Sequence, residues 1–227
     1  MSSETGLAAR LARVDAAIAD AAREAGRSAS ELTRIVVTKF HPASLVRELA
    51  ALGVRDVGEN RHQEAVAKAA ECAELDVRWH FVGQLQSNKA RAVRRYASAV
   101  HSVDRPSLLR ALADSETSDL DCFLELNLTE DPARGGVRPD GVTELAELAL
   151  ATPGIRLRGV MAVAPLGEEP RAAFARVRAV SERLRELAPE ASAISAGMSG
   201  DFADAIREGA THLRIGTAIT GNRPERG

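Results

Sequence analysis

Cysteine, histidine and long apolar runs are scarce in this 227-residue chain, and each shortage excludes a class of protein. The two cysteines, Cys72 and Cys122, lie far apart and match no metal or redox spacing, so we expect reduced thiols in the core. The five histidines show no zinc-ligand spacing, and we expect no metal site. No apolar run approaches the ~18 residues that a membrane-spanning helix needs.

An excess of charge of one sign is also missing. The net charge is −2 and the isoelectric point is about 6.2, so no overall field favours nucleic acid or an anionic membrane. The first 26 residues carry acidic side chains throughout and have no apolar h-region, which argues against a signal peptide. We therefore expect a cytoplasmic, bacterial-type protein with neither nucleic acid nor membrane as a partner.

Lysine is the most informative shortage. Thirty residues are Lys or Arg, and only Lys39, Lys68 and Lys89 are lysines. A lysine has a primary amine that condenses with an aldehyde, which arginine lacks. Lys68 in "NRHQEAVAKAA" and Lys89 in "QSNKARAVRRY" fall in helical patterns, and we predict that both lie on solvated faces. Lys39 instead directly follows the apolar run "RIVVT", where the alternative interpretation is a gatekeeper charge at a strand end.

Apolar strand patterns alternate with helical patterns along the whole chain. The strand candidates are 34–38, 54–57, 78–82, 98–103, 121–127, 156–163, 191–195 and 212–216. The helical patterns lie near 43–52, 60–73, 87–96, 106–116, 140–151, 170–187 and 200–208, after a first helix that Gly26 ends. Eight β-α units predict an α/β fold, a single TIM (β/α)8-type barrel spanning 1–227 with an extra N-terminal helix. A doubly wound open sheet is the alternative.

Unusual residues follow several of these strands, at the end of the barrel where active sites lie. Lys39 follows the first strand and "GEN", which ends in Asn60, follows the second. The last two strands lead into "SAGMSGD" and "RIGT", small and hydroxyl-bearing segments at the place of the recurrent barrel phosphate site. Each segment alone is typical of an ordinary capped turn or strand. A lysine amine and a phosphate site at one mouth together indicate pyridoxal 5′-phosphate.

The segments "VVTKFHP", "VGENRHQEAVAK", "WHFVGQLQSNKAR", "HSVD", "RGVMAVAP" and "SAGMSGDFADAIREGATHLRIGTAITGNRP" resemble the pyridoxal phosphate homeostasis proteins, the YggS/PROSC family. The likeness runs from about residue 7 to residue 224. It implies a barrel like the amino-terminal half of alanine racemase, with the cofactor held on Lys39 as an aldimine. It also implies that Arg214 faces the pyridine nitrogen and that Asn60 lies near the ring. The implied phosphate contacts are Ser195, Met198, Ser199, Gly216 and Thr217. Phe40, Ala196 and Arg134 depart from the family pattern.

Three functions are compatible with these sequence features. The first is a carrier that holds and delivers pyridoxal phosphate, with apo-enzymes as transient partners. The second is a racemase or lyase, and the third a phosphate-binding barrel enzyme without this cofactor. An arginine at the pyridine nitrogen makes a poor electron sink. Racemases of this type also need a second acid–base tyrosine from another domain, whereas the only tyrosine, Tyr96, is predicted on an outer helix. We therefore favour the carrier and expect a monomer.

Overall fold

The computed structural model describes residues 6–131 and 133–222 of the chain. The predicted single domain spans 1–227, so its two ends and Pro132 lie outside the described residues. The assignment of the whole chain to one domain therefore stays a prediction.

Eight parallel strands close into a barrel, which confirms the TIM-type prediction over the open sheet. The strands are β1 (Thr33–Val37), β2 (Asp56–Glu59), β3 (Arg78–Phe81), β4 (Ala97–Val103), β5 (Leu120–Glu125), β6 (Ile155–Met161), β7 (Ala193–Ser195) and β8 (His212–Ile215). Closure is seen where β1 pairs with β8, from Thr33 opposite His212 to Val36 opposite Ile215. All parallel strands point the same way, so their carboxyl ends form one mouth.

Helices lie on the outside of the barrel, and all but the first and the last of them stand between two strands of the chain. They are α1 (Leu7–Glu24), α2 (Ala43–Ala51), α3 (His62–Glu71), α4 (Ala90–Arg94), α5 (Pro106–Leu112), α6 (Val142–Ala151), α7 (Pro170–Leu187), α8 (Phe202–Arg207) and α9 (Thr217–Thr220). The predicted helices are confirmed with shifted ends. The sequence does not predict α9, because four residues are too few to show a helical period.

The extra N-terminal helix packs beside the last two helices of the chain. Leu11, Val14 and Ile18 form its buried stripe, and α1 contacts α8 and α9. Arg10 donates from Nε to the carbonyl oxygen of Ile219 at 2.7 Å. This helix therefore supports the segment that follows β8, next to the mouth of the barrel.

Two apolar layers make up the core. The larger one includes side chains of the outer helices and of the strand faces that they cover. The smaller one consists of Ala99, Phe123, Met161 and Ala193, from four consecutive strands. The ring of Phe123 stacks on a buried histidine, His101, with centroids 4.3 Å apart. Polar side chains therefore share the inside of the barrel with a small apolar cluster. Within the described ranges, no helix is both long enough and apolar enough to cross a membrane.

Candidate functional site

Lys39 lies at the mouth of the barrel, two residues beyond the end of β1. The buried strand carries the chain to the mouth, and the Lys39 side chain is exposed there. Within the described residues, its Nζ atom has no ion-pair partner, and it lies 5.8 Å from the centroid of the Phe40 ring. An exposed amine at this position is accessible to a ligand in the mouth.

The turn that presents Lys39 has an unusual backbone. Phe40 has a φ of +69°, a left-handed conformation that is rare for a bulky residue and costs on the order of 1–3 kcal/mol. The Glu64 carboxylate accepts a hydrogen bond from the Phe40 N–H at 3.1 Å. The Arg61 guanidinium lies 5.1 Å from the centre of the Phe40 ring. Helix α3 and the residue that precedes it thus hold this turn from one side.

Lys68 also supports this turn, which corrects the prediction that it lies on a solvated face. It is only 7% exposed. Its Nζ donates to Oε1 of Glu59 at 2.6 Å and to the carbonyl oxygen of Thr38 at 2.8 Å. The Thr38 hydroxyl donates to the same Glu59 oxygen at 2.6 Å. A buried ion pair therefore fixes the residue that precedes Lys39.

The spacing along α3 contained a signal for this burial. Lys68 is three residues after Ala65 and four before Cys72, and both of these neighbours are buried. That spacing puts Lys68 on the inward face of the helix. Burial raises the pKa of Glu59, while its hydrogen bonds from Lys68 and Thr38 act in the opposite direction. Like Lys39, Lys68 is therefore one of the few lysines of this chain, and it occupies a specific position in the structure.

Arg214 is buried in β8 and is held by Ser195 at the end of β7 and by Ala162, which directly follows β6. Its Nη1 donates to the carbonyl oxygen and to Oγ of Ser195, both at 2.7 Å, and its Nη2 donates to the carbonyl oxygen of Ala162 at 2.9 Å. Burial lowers its pKa to about 10, so the guanidinium stays charged near neutral pH. Three of its five N–H groups are used in this way, which leaves two without a partner among the described residues.

The loops after β7 and β8 lie side by side at the mouth. Met198 is exposed, and its N–H donates to a carboxylate oxygen of Asp201 at 2.6 Å. Ser199 is half-buried, whereas Thr217 is exposed. A Cβ added to Gly216 would meet no atom closer than 3.9 Å, so the space beside this glycine is open. The first N–H groups of a helix such as α9 have no partner within that helix.

Ser195 belongs to a different layer from these loop residues. It is fully buried at the end of β7, and its hydroxyl contacts Nδ1 of His101 at 2.8 Å as well as Arg214. Its side chain therefore faces the inside of the barrel. A contact between Ser195 and a phosphate group stays a prediction.

Two more polar groups line the strand ends. Asn60 directly follows β2, and its Oδ1 is buried without a hydrogen-bond partner among the described residues. Glu125 ends β5, and one of its carboxylate oxygens is likewise buried without a hydrogen-bond partner among the described residues. Burial, followed by repulsion from Asp104, raises the pKa of Glu125 to about 7, and Arg214 lowers it in part. The sequence did not predict Glu125, because an acidic residue in "LELN" resembles an ordinary strand end.

The single tyrosine precedes β4, and its ring stacks on His62, the first residue of α3, with centroids 6.1 Å apart. Tyr96 lies just after α4 and just before β4, at the amino-terminal end of that strand, and its side chain is half-buried with an interior hydroxyl. This corrects its placement on an outer helix. An open cavity of about 1180 Å³ at this end is lined by Tyr96, Arg91, Arg94 and Arg95. Arg94 there donates to the carbonyl oxygens of Leu112, Ser118 and Gly154, so part of this basic cluster is structural.

Comparison with known proteins places this barrel in a class. Residues 11–224 match the family model described as alanine racemase, N-terminal domain. The solved structure of alanine racemase from Corynebacterium glutamicum shares the fold at 15% identity with a TM-score of 0.69, over 94% of this chain and 62% of that one. The fold and the site thus define a barrel of the alanine racemase N-terminal-domain class.

Curated relatives narrow the class to one family. A pyridoxal phosphate homeostasis protein from Corynebacterium glutamicum is 42% identical over 94% of this chain and 98% of its own length. One from Pseudomonas aeruginosa is 41% identical over 96% of each chain. The chain therefore belongs to the family of pyridoxal phosphate homeostasis proteins, as the resemblance indicated. These relatives are named for homeostasis rather than for an enzymatic reaction.

A solved structure points to the ligand of a relative. PipY from Synechococcus elongatus, solved with PLP bound, is 35% identical to this chain with a TM-score of 0.80. The match covers 95% of this chain and 100% of that one. PipY was also solved without PLP, and that structure has a TM-score of 0.82 with this chain.

Proposed function

We propose that this protein binds pyridoxal 5′-phosphate at the barrel mouth through a Schiff base with Lys39, and delivers it within the cytoplasm without turning over an amino acid. The observation that carries the proposal is the PLP-bound structure of PipY, which is similar over nearly the whole chain. When bound, the cofactor supplies an aldehyde that condenses with a lysine amine. Apo-enzymes that depend on this cofactor are the proposed transient partners, and we expect a monomeric carrier.

The groups at the mouth fit this cofactor chemically. Lys39 offers an exposed amine, and helix α3 fixes the turn that presents it. Arg214 has two N–H donors left for an acceptor such as an unprotonated pyridine nitrogen. Asn60 has a buried oxygen that receives no hydrogen bond from any residue described by the structure. An aldehyde, a ring nitrogen and a phosphate would thus each meet a suitable group at one mouth.

The phosphate group would lie between the loops after β7 and β8. We propose contacts from Ser199, Gly216 and Thr217, together with Met198 and Ser195 as the family pattern implies. Hydrogen bonds to a charged group contribute about 1.5–3 kcal/mol each. Ser199→Ala and Thr217→Ala are therefore each expected to weaken pyridoxal phosphate binding about tenfold or more. Equilibrium titration followed by absorbance measures this change.

Pyridoxal, which lacks the phosphate, provides the control for these two variants. Its affinity is expected to change little, because the deleted hydroxyls would have contacted only the phosphate. Ser192→Ala is a matched substitution at the other end of β7, and it should leave both ligands unaffected. Equal losses for the two ligands would show that Ser199 and Thr217 do not contact the phosphate.

Two features of the protein favour cofactor binding without turnover. An arginine partner leaves the ring nitrogen unprotonated, which weakens the electron sink that carbanion chemistry needs. The ring of Tyr96, the only tyrosine in the sequence, stacks on His62 of α3 with its hydroxyl buried, and no contact joins it to Lys39 within the described residues. A tyrosine opposed to Lys39, as in a racemase-type acid–base pair, is therefore not seen in the described part of the chain.

Transfer and turnover are measured separately. We expect the loaded protein to reactivate an apo-enzyme that depends on pyridoxal phosphate, at a rate faster than the same amount of Lys39→Arg protein allows. A panel of amino acids incubated in deuterated water should exchange α-protons no faster than with free cofactor. Exchange at about 1 per second or faster for any amino acid would favour the alternative, a racemase or lyase.

A further inference from the structure

A continuous chain of hydrogen bonds runs lengthwise through the barrel to Arg214. It begins at Asp56, the first residue of β2, whose Oδ1 lies 2.8 Å from Nε2 of His80. Nδ1 of His80 lies 3.0 Å from Nε2 of His101. Nδ1 of His101 lies 2.8 Å from Oγ of Ser195, which accepts from Arg214 at 2.7 Å. Five side chains from β2, β3, β4, β7 and β8 thus connect the amino-terminal end of the barrel to its mouth.

The two ends of this chain determine the direction of every bond in it when both histidines are neutral. A guanidinium can only donate, so the Ser195 oxygen accepts from Arg214 and turns its O–H toward Nδ1 of His101. His101 then carries its proton on Nε2 and donates to Nδ1 of His80. His80 in turn donates from Nε2 to the Asp56 carboxylate, which can only accept.

The surroundings of the end groups agree with this order. Arg78 donates to both carboxylate oxygens of Asp56, at 2.7 and 2.6 Å. Together with His80 it lowers the pKa of Asp56 to about 2, against the opposing effect of burial. Burial keeps the pKa of His101 well below its usual range, so this ring is neutral and has a single N–H. A fixed acceptor and a fixed donor therefore hold a neutral ring between them.

We propose that Asp56, His80 and His101 are positioning residues that act through Ser195 to hold the Arg214 guanidinium in one orientation, in which its free N–H groups can donate to the ring nitrogen of the cofactor. A serine hydroxyl on its own can rotate and present its hydrogen to a neighbour. Here the Ser195 hydroxyl donates its hydrogen to Nδ1 of His101, so a lone pair of the Ser195 oxygen always faces Arg214. The carboxylate at the far end of the barrel thus sets the geometry of the arginine at the mouth. Only the role of Arg214 as the ring partner is taken from the proposed function.

The order of protons is measurable without any cofactor. Nitrogen-15 NMR of the histidine rings in the full-length, cofactor-free protein should show both His80 and His101 protonated on Nε2 and unprotonated on Nδ1. Asp56→Ala removes the acceptor that faces Nε2 of His80, so the preference for a proton on Nε2 should be lost and the tautomer of His80 should change. A proton on Nδ1 of His101 in the wild-type protein, or rapid exchange between its tautomers, would overturn the proposal.

A second measurement uses the absorption spectrum and affinity of bound pyridoxal phosphate. His101→Phe keeps the stacking on Phe123 but removes both ring nitrogens, so it should shift the absorption maximum and weaken binding about tenfold, as the loss of one hydrogen bond would. His212→Phe is the matched control. His212 packs on the same Phe123 ring at 5.1 Å, yet it hydrogen-bonds to Thr211 outside the chain. The His212→Phe variant should leave the absorption spectrum unchanged and keep the affinity within about twofold of the wild-type value.

A conservative variant separates positioning from packing. The carboxamide of glutamine carries one acceptor and one donor set, like a neutral imidazole, so His101→Gln should recover part of the spectrum and the affinity. Equal effects of His101→Phe and His212→Phe would show that these rings only fill space, and would overturn the proposal. If the wild-type protein binds no cofactor, the proposed function fails, while the tautomer measurement still decides whether the chain is ordered as described.

Discussion

Lys39→Arg is expected to abolish covalent attachment of pyridoxal phosphate while the positive charge at the barrel mouth is kept. A guanidinium does not condense with an aldehyde as a primary amine does, so the absorbance of the Schiff base should disappear. The loops after β7 and β8, which are proposed to contact the phosphate, are unchanged in this variant, so weaker non-covalent binding of the cofactor should remain. Borohydride reduction followed by peptide mass mapping measures the covalent link directly.

The other two lysines provide the controls for this experiment. Nζ of Lys68 already donates to two acceptors in the protein interior and should not react. Lys89 lies in the short 3₁₀ turn Ser87–Lys89 before α4 and is half-buried. Lys89→Arg should therefore retain the wild-type spectrum. In the wild-type protein, the pyridoxyl label should map to the peptide that contains Lys39, and a label on Lys68 or Lys89 would refute the assignment.

Lys68→Met is expected to lower the free energy of unfolding by about 3–5 kcal/mol, the usual cost of removing one partner from a buried ion pair. The variant leaves the Glu59 carboxylate, which is 1% exposed, without its cation. It also removes the hydrogen bond to the carbonyl oxygen of Thr38, so cofactor binding at the adjacent Lys39 should weaken as well. Urea denaturation followed by circular dichroism measures the stability change.

The charge on Glu59 provides the test of this explanation. The double variant Lys68→Met with Glu59→Gln removes both charges and should recover most of the lost stability. Without its cation, the buried Glu59 has a folded-state pKa above the unfolded value of about 4.3, so the penalty grows as the pH rises above that value. The deficit of Lys68→Met should thus be smaller at pH 5 than at pH 8. Lys89→Met, with no ion pair in the described structure, should change stability by less than about 0.5 kcal/mol.

The barrel and its functional end could be predicted because the signals for them are local. Apolar β-branched runs such as "RIVVT" alternate with helical periods, and right-handed crossovers then allow few arrangements. Parallel strands place all their carboxyl ends at one face, so Lys39, Asn60 and the loops after β7 and β8 were predicted to share one mouth, and the barrel topology brings them there. The element α9 was missed, since four residues are too few for a period.

The family was also evident from the sequence, because its motifs run through almost the whole chain in a specific order. The match over residues 11–224 and the relatives at about 40% identity confirm that assignment. The roles of individual residues are a different matter. The Schiff base on Lys39 and the phosphate contacts depend on the position of a ligand, and they remain predictions for the experiments above.

The amino-acid sequence by itself thus determined the barrel, the strand ends that meet at its mouth and the family, since periodicity, strand direction and motifs are properties of short segments. The tertiary structure alone decided which polar side chains are buried together. Lys68 meets Glu59 inside the protein although its helical pattern resembles a solvated face. His101 meets Ser195 across 94 residues of sequence, and Ser195 meets Arg214. Such contacts depend on the register and closure of distant strands, which no local pattern contains.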